Sequence, residues 1–74
     1  MPKLGVFSGR EVCSILGQAG FIHVRTRGSH AVMQQVGAEG VTRTVPVPLH
    51  DSVKKGTLKS IIRQSGLDEA LFKK

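Results

Sequence analysis

Phe21-Ile22-His23-Val24-Arg25-Thr26-Arg27-Gly28-Ser29-His30, continued by Ala31-Val32-Met33-Gln34-Gln35-Val36, is the run on which the fold turns. From Phe21 to Arg27 apolar or β-branched residues alternate with basic ones. Ile22, Val24 and Thr26 fall on one face of a strand and His23, Arg25 and Arg27 on the other. Gly28-Ser29 reads as a tight turn or bulge, and His30 to Val36 as a second β-prone run that ends before Gly37-Ala38-Glu39-Gly40. The expectation is an antiparallel pair with a basic face and a histidine, His30, just past its turn. A proton-transferring group beside anion-binding charge suits chemistry on a phosphodiester.

Upstream, Met1 to Phe7 holds Pro2 and Gly5 and reads as a short extended lead-in. Ser8 followed three residues later by Glu11 has capping-box spacing, in which each side chain satisfies a backbone N–H left over at a helix start. With Ser8 as N-cap, Phe7 and Val12 fall at the two positions of a hydrophobic staple. Val12, Ile15, Leu16 and Ala19 then form one apolar stripe, and Gly20 suits the left-handed residue that ends a helix. The first helix is expected over Gly9 to Ala19. Cys13 lies beside the stripe and reads as a packing residue.

Downstream, Val41 to Val47 is a third strand rich in Val and Thr, and Pro46 with Pro48 argues that its far end lies on an edge or leaves the sheet. The chain leaves through Leu49-His50-Asp51 and a polar, basic segment from Ser52 to Gly56. Leu58, Ile61, Ile62 and Ser65 mark a second helical stripe beginning near Thr57, with Gly66 as its cap. Asp68 can cap one more turn holding Leu71 and Phe72, and Lys73-Lys74 is expected to fray.

The order α-β-β-β-α describes a single α+β domain spanning residues 1–74. Three antiparallel strands leave one face bare unless two amphipathic helices cover it, so both helices are expected on the same side of the sheet. That outline also fits the double-stranded RNA-binding domain, whose second helix offers basic residues to phosphates. Lys54, Lys55 and Lys59 occupy the comparable region.

In 74 residues, eleven Lys and Arg stand against five Asp and Glu, a formal charge of +6. That balance favours a polyanionic partner, nucleic acid first and an acidic protein second. A single cysteine excludes an internal disulfide and points to a reducing compartment. With no signal-peptide pattern and no apolar run near the length of a membrane span, the expectation is a soluble, cytoplasmic protein. His23, His30, His50 and Cys13 lack the close paired spacing of a structural zinc site, and there is no Walker loop, dinucleotide fingerprint or Gly-x-Ser-x-Gly elbow. Neither a metal nor a cofactor is expected. With no Trp or Tyr, and with Phe7, Phe21 and Phe72 assigned to packing, RNA contacts should fall on phosphates and 2′-hydroxyls.

Gly20-Phe21, Arg25, Gly28-Ser29-His30, Val45-Pro46, Pro48-Leu49-His50 and Lys55-Gly56-Thr57-Leu58-Lys59-Ser60-Ile61, running to Gly66-Leu67, together resemble the HicA family over nearly the whole chain. HicA proteins are the toxin halves of HicA/HicB toxin–antitoxin pairs, described as ribonucleases acting on mRNA. The resemblance implies a type II toxin, an endoribonuclease or mRNA interferase, restrained by a HicB-like antitoxin. It also implies that His30, in the Gly-Ser-His motif, is catalytic. Many members carry a second histidine directly after the first, where this chain has Ala31.

Cleavage of RNA by its own 2′-OH needs a base for that hydroxyl, an acid for the leaving 5′-oxygen and cations around the phosphorane. Histidine as a residue type serves either proton transfer near neutral pH. Arg25, Arg27 and the lysines at the start of the second helix are candidates for the phosphate, and Gly28 allows backbone N–H groups close to it. His50 is a candidate accessory acid or base, or a loop residue bonded locally; Ser29 either orients substrate or stabilises the turn. His23 reads as solvated or RNA-facing. Two other readings remain, a noncatalytic RNA-binding module of the same fold and an interaction protein for an acidic partner.

Overall fold

The computed structural model describes residues 5–73. The lead-in expected over Met1 to Phe7 thus falls partly outside the described residues, as does Lys74. The elements are α1 (Gly9–Gln18), β1 (Ile22–Arg27), β2 (His30–Val36), β3 (Thr42–Pro48) and α2 (Lys55–Ser65). Short 3-10 turns lie at Ala38–Gly40, between β2 and β3, and at Glu69–Phe72, after α2. The strands form one antiparallel sheet in the order β1-β2-β3, giving the expected α-β-β-β-α fold with two helices on one face.

The start of α1 forms as its sequence dictates. The Ser8 hydroxyl accepts from the Glu11 N–H at 3.2 Å, and the Glu11 carboxylate accepts from the Ser8 N–H at 2.9 Å. Phe7 and Val12 both enter the core. At the other end the Phe21 N–H reaches the Leu16 carbonyl at 2.9 Å and the Gly20 N–H reaches Gly17 at 3.1 Å, a Schellman closure with Gly20 at φ +100°. Those bonds hold Phe21 to the helix cap, so β1 begins one residue later than its sequence pattern suggests. Helix α1 itself ends at Gln18, with Ala19 as the C-cap.

The β1–β2 hairpin closes on two residues, with Gly28 at φ +59° in the first central position, where a type II′ turn takes glycine. The pairing Arg27↔His30, Thr26↔Ala31, Arg25↔Val32 is regular, but the next pair is His23↔Met33. Val24 is the extra residue of a β-bulge, and this corrects the simple alternation expected for β1. The bulge turns His23 to the same side as Thr26, whose hydroxyl lies 2.9 Å from the His23 Nε2. Arg25 and Arg27 stay together on the opposite side.

Cross-strand partners share a face. Met33, Val45 and Val47 therefore lie on the face that meets Val12 and Leu16 of α1 and Leu58, Ile61 and Ile62 of α2. Phe7 and Phe72 close the core edge-to-face, with ring centroids 6.3 Å apart. The Gln35 amide, on that same face, donates to the Ala19 carbonyl at 2.9 Å and ties β2 to the end of α1. The buried residues of α2 are Leu58, Ile61, Ile62 and Ser65, the stripe its sequence marks.

Strand β3 runs from Thr42 through Pro48, shifted one residue from the expected span because Pro48 still pairs with His30. It is an edge strand, as its prolines require. Helix α2 starts at Lys55, two residues before Thr57. No capping side chain marks the true start, and Lys54 supplies an extended N-cap without a side-chain bond. Among the described residues, no helix is long and apolar enough to cross a membrane.

Candidate active site

Three segments meet at the hairpin end of the sheet. The Leu49 N–H donates to the Ser29 carbonyl at 2.6 Å, so the exit of β3 is bonded to the β1–β2 turn. The Gly9 N–H donates to the His50 carbonyl at 2.9 Å, fixing the same exit to the first residue of α1. Gly9 is buried against this segment, and a Cβ there would lie 2.7 Å from the Leu49 Cα and overlap the Pro48 carbonyl oxygen. A glycine is needed because backbone passes where a side chain would stand.

These contacts hold His30 and His50 about one cavity of about 410 Å³, with Pro46 and Pro48 of β3 in its wall. Lys54, Thr57, Ser60, Ile61 and Gln64 line it from the α2 side. Both imidazoles and the Lys54 ammonium are exposed, so a charged substrate can reach them. No side chain caps the α2 N-terminus beside Lys54, which leaves first-turn N–H groups pointing outward as donors for an anion. The arrangement places two imidazoles and an ammonium around one concave surface.

The expected site residues are only partly brought together. His30, His50 and Lys54 share the cavity; Lys55 and Lys59 are on α2 but do not line it. Arg27 is the cross-strand partner of His30, and Arg25 lies on the same sheet face, both exposed and both outside the cavity wall. Gly28 and Ser29 form the turn that precedes His30.

Ala31 is 3 % exposed and lies on the helix-covered face, opposite to His30. A second histidine at position 31 would therefore point away from the His30 cavity. Ala31 instead lines a separate pocket of about 240 Å³ with Arg10, Cys13, His23, Thr26 and Leu49. Cys13 is half-buried there, and burial raises its thiol above the ordinary value of 9.0, which disfavours a thiolate nucleophile. Among the described residues no three His, Cys, Asp or Glu side chains cluster as ligands for a metal ion.

The sequence reading missed Thr57, Ser60 and Gln64, the neutral polar rank next to the buried stripe of α2. A signal was present in their i, i+3, i+7 spacing, but a polar rank on an amphipathic helix ordinarily reads as solvated surface.

A model of the protein family described as "HicA toxin of bacterial toxin-antitoxin" matches residues 9–67 of the 74-residue chain. No curated protein matches the sequence. The match runs from the first residue of α1 past the cap of α2 and takes in every residue of the cavity; the chain belongs to the HicA toxin family.

Proposed function

We propose that this HicA-family toxin is an endoribonuclease that cleaves mRNA by transferring protons through His30, with His50 as its partner and Lys54 as the phosphate-binding cation. The observation that carries the reading is that these three side chains, from β2, the β3 exit and the start of α2, line one cavity.

In this reaction one imidazole accepts the 2′-OH proton as the 2′-oxygen attacks phosphorus. The other gives its proton to the 5′-oxygen as the P–O5′ bond breaks. The products are a 2′,3′-cyclic phosphate and a 5′-hydroxyl. Lys54 and the uncapped N–H groups of α2 face the non-bridging oxygens, where negative charge accumulates in the phosphorane. Arg25, Arg27, Lys55 and Lys59 extend positive charge beyond the cavity and hold the flanking phosphates, with Gly28 giving the RNA backbone access to the turn. Ser29 acts through the turn it helps to form.

The partner is a HicB-like antitoxin that covers the His30 cavity or competes for the basic surface. An acidic contact surface would complement the +6 charge of the toxin. The toxin acts where mRNA is translated, in the cytoplasm.

The test is cleavage of a labelled single-stranded RNA by purified protein in EDTA, comparing wild type with His30→Ala. Cleavage by the wild type alone, with RNA affinity of the variant within a few-fold, is the expected result. Equal cleavage by both would remove His30 from the chemistry and move the test to His50. Binding without cleavage by either would make the chain a noncatalytic RNA-binding module.

A further inference from the structure

The cavity extends well beyond the reacting groups. Helix α2 runs antiparallel to β3: Lys54 and Pro48 share the cavity at one end, and the Gly66 cap abuts the Arg43 guanidinium at the other. From Lys54 to Gln64 the helix advances about 15 Å, so the cavity is a groove longer than one phosphate needs. Its character changes along its length. Histidine and lysine occupy the hairpin end, whereas Thr57, Ser60 and Gln64 on α2 line the rest with Pro46 on β3, and the nearest cation there, Arg63, borders the lining through Ser60.

We infer that this neutral half of the groove is the specificity-determining subsite, and that Gln64 and Ser60 read the edge of a base next to the scissile phosphate. The inference rests on the ribonuclease reading and adds the residues that choose where the RNA is cut. A phosphate is better served at the Lys54 end, since this half is lined by hydroxyls and an amide and the Arg63 guanidinium beside it does not line the cavity but is turned to Ser60. A base edge fits this half. The Gln64 amide offers a donor and an acceptor side by side, the pairing that bidentate base recognition uses. The Ser60 hydroxyl accepts from the Arg63 guanidinium at 3.4 Å, which leaves its own O–H free to rotate toward the groove. Pro46 presents a flat apolar wall against which a base face can lie, in a chain with no Trp or Tyr and with its phenylalanines buried. Single-stranded RNA is read in this way, through splayed bases whose edges are hydrogen-bonded.

The experiment sequences the cut sites made by purified wild type, Gln64→Met, Ser60→Ala and Lys54→Met in a random-sequence RNA pool, with His30→Ala as the blank. Gln64→Met keeps the length of the side chain and removes its polar edge, and Gln64 is exposed on α2, so folding is checked simply by the thermal melt. Loss of a bidentate contact removes roughly 5- to 150-fold of base discrimination, with the lower end expected in an open groove. The expected result is a wild-type preference at a position within two nucleotides of the cut. Gln64→Met flattens it about fivefold, Ser60→Ala flattens it less, and Lys54→Met keeps it while cutting slowly everywhere. A wild type that cuts through His30 without base preference, or a preference that survives both Gln64→Met and Ser60→Ala, overturns the inference and leaves the ribonuclease reading intact. Cleavage that is absent, or equal in the His30→Ala blank, overturns both.

Discussion

Substituting Gly9 by alanine tests whether the start of α1 sets the position of the His50 loop. Gly9 is the first residue of the helix, and its Cβ would stand 2.7 Å from the Leu49 Cα. Non-bonded carbons rest at about 3.5 Å, so the Leu49 backbone must retreat by about 0.8 Å. The Gly9 N–H···O=C bond to His50, now 2.9 Å, would then open past hydrogen-bonding range. Overpacking of this kind costs about 1–3 kcal/mol and the lost bond about 1 kcal/mol, while alanine returns up to about 1 kcal/mol of helix propensity. The net loss is about 2 kcal/mol, or roughly 8–16 °C in Tm for a domain of this size. Because His50 moves with its carbonyl, cleavage should also fall, by roughly 10- to 100-fold if the geometry slips by close to 1 Å. The assay is a thermal melt and an RNA cleavage rate on each variant, with Gly17→Ala as the control. Gly17 lies in the same helix with nothing within 4 Å of its would-be Cβ, so the same substitution there should stabilise. If the two variants shift Tm in the same direction, or if Gly9→Ala melts like the wild type, the reasoning about the Gly9–His50 contact is refuted.

Two further outcomes follow from the charges and the thiol. Lys54→Met should make the dependence of log K for single-stranded RNA on log salt shallower by about 0.7, and should slow cleavage more than Lys59→Met does. Equal cleavage losses in the two variants would remove Lys54 from the cavity's chemistry. For Cys13, burial raises the thiol above 9.0, so between the unfolded and the folded value the folded chain keeps a proton that the unfolded chain has released. The stability this contributes is present below the unfolded value and is lost as pH rises through the folded one. Alkylation by iodoacetamide at pH 8 should accordingly be slower in the folded protein than in urea; equal rates would show that the thiol is not shielded.

Much of the fold was legible because local chemistry and burial agree. Ser8 and Glu11 form the expected box, Gly20 and Gly66 end the helices at positive φ, and the four residues of the α2 stripe are the four that are buried. Where the boundaries differ, a backbone bond that the residue pattern does not encode decides the outcome, in one case within a helix cap and in the other across the sheet. Phe21 is held by Leu16 rather than by the sheet, and Pro48 remains in β3 because it pairs with His30. The bulge at Val24 had no sequence sign, since neither glycine nor proline marks it. The same limit applies to the site. His30 was visible from its place after a Gly-Ser turn, but its meeting with His50 depends on the bonds from Leu49 to Ser29 and from Gly9 to His50, both between residues at least twenty apart.

The bulge also accounts for how a strand so exposed sorts its charge. Without it, strict alternation would place His23 beside Arg25 and Arg27, three cationic or titratable side chains on one face of an edge strand. Inserting Val24 sends His23 to the α1 side, where it meets Thr26, and keeps the two arginines on the face of His30. The two arginines thereby share the sheet face of His30, next to the hairpin turn, while His23 is bonded locally to Thr26. A single extra residue in β1 thus does for the sheet what Gly9 does for the helix: each fixes, through backbone geometry, which side chains stand at the His30 end of the molecule.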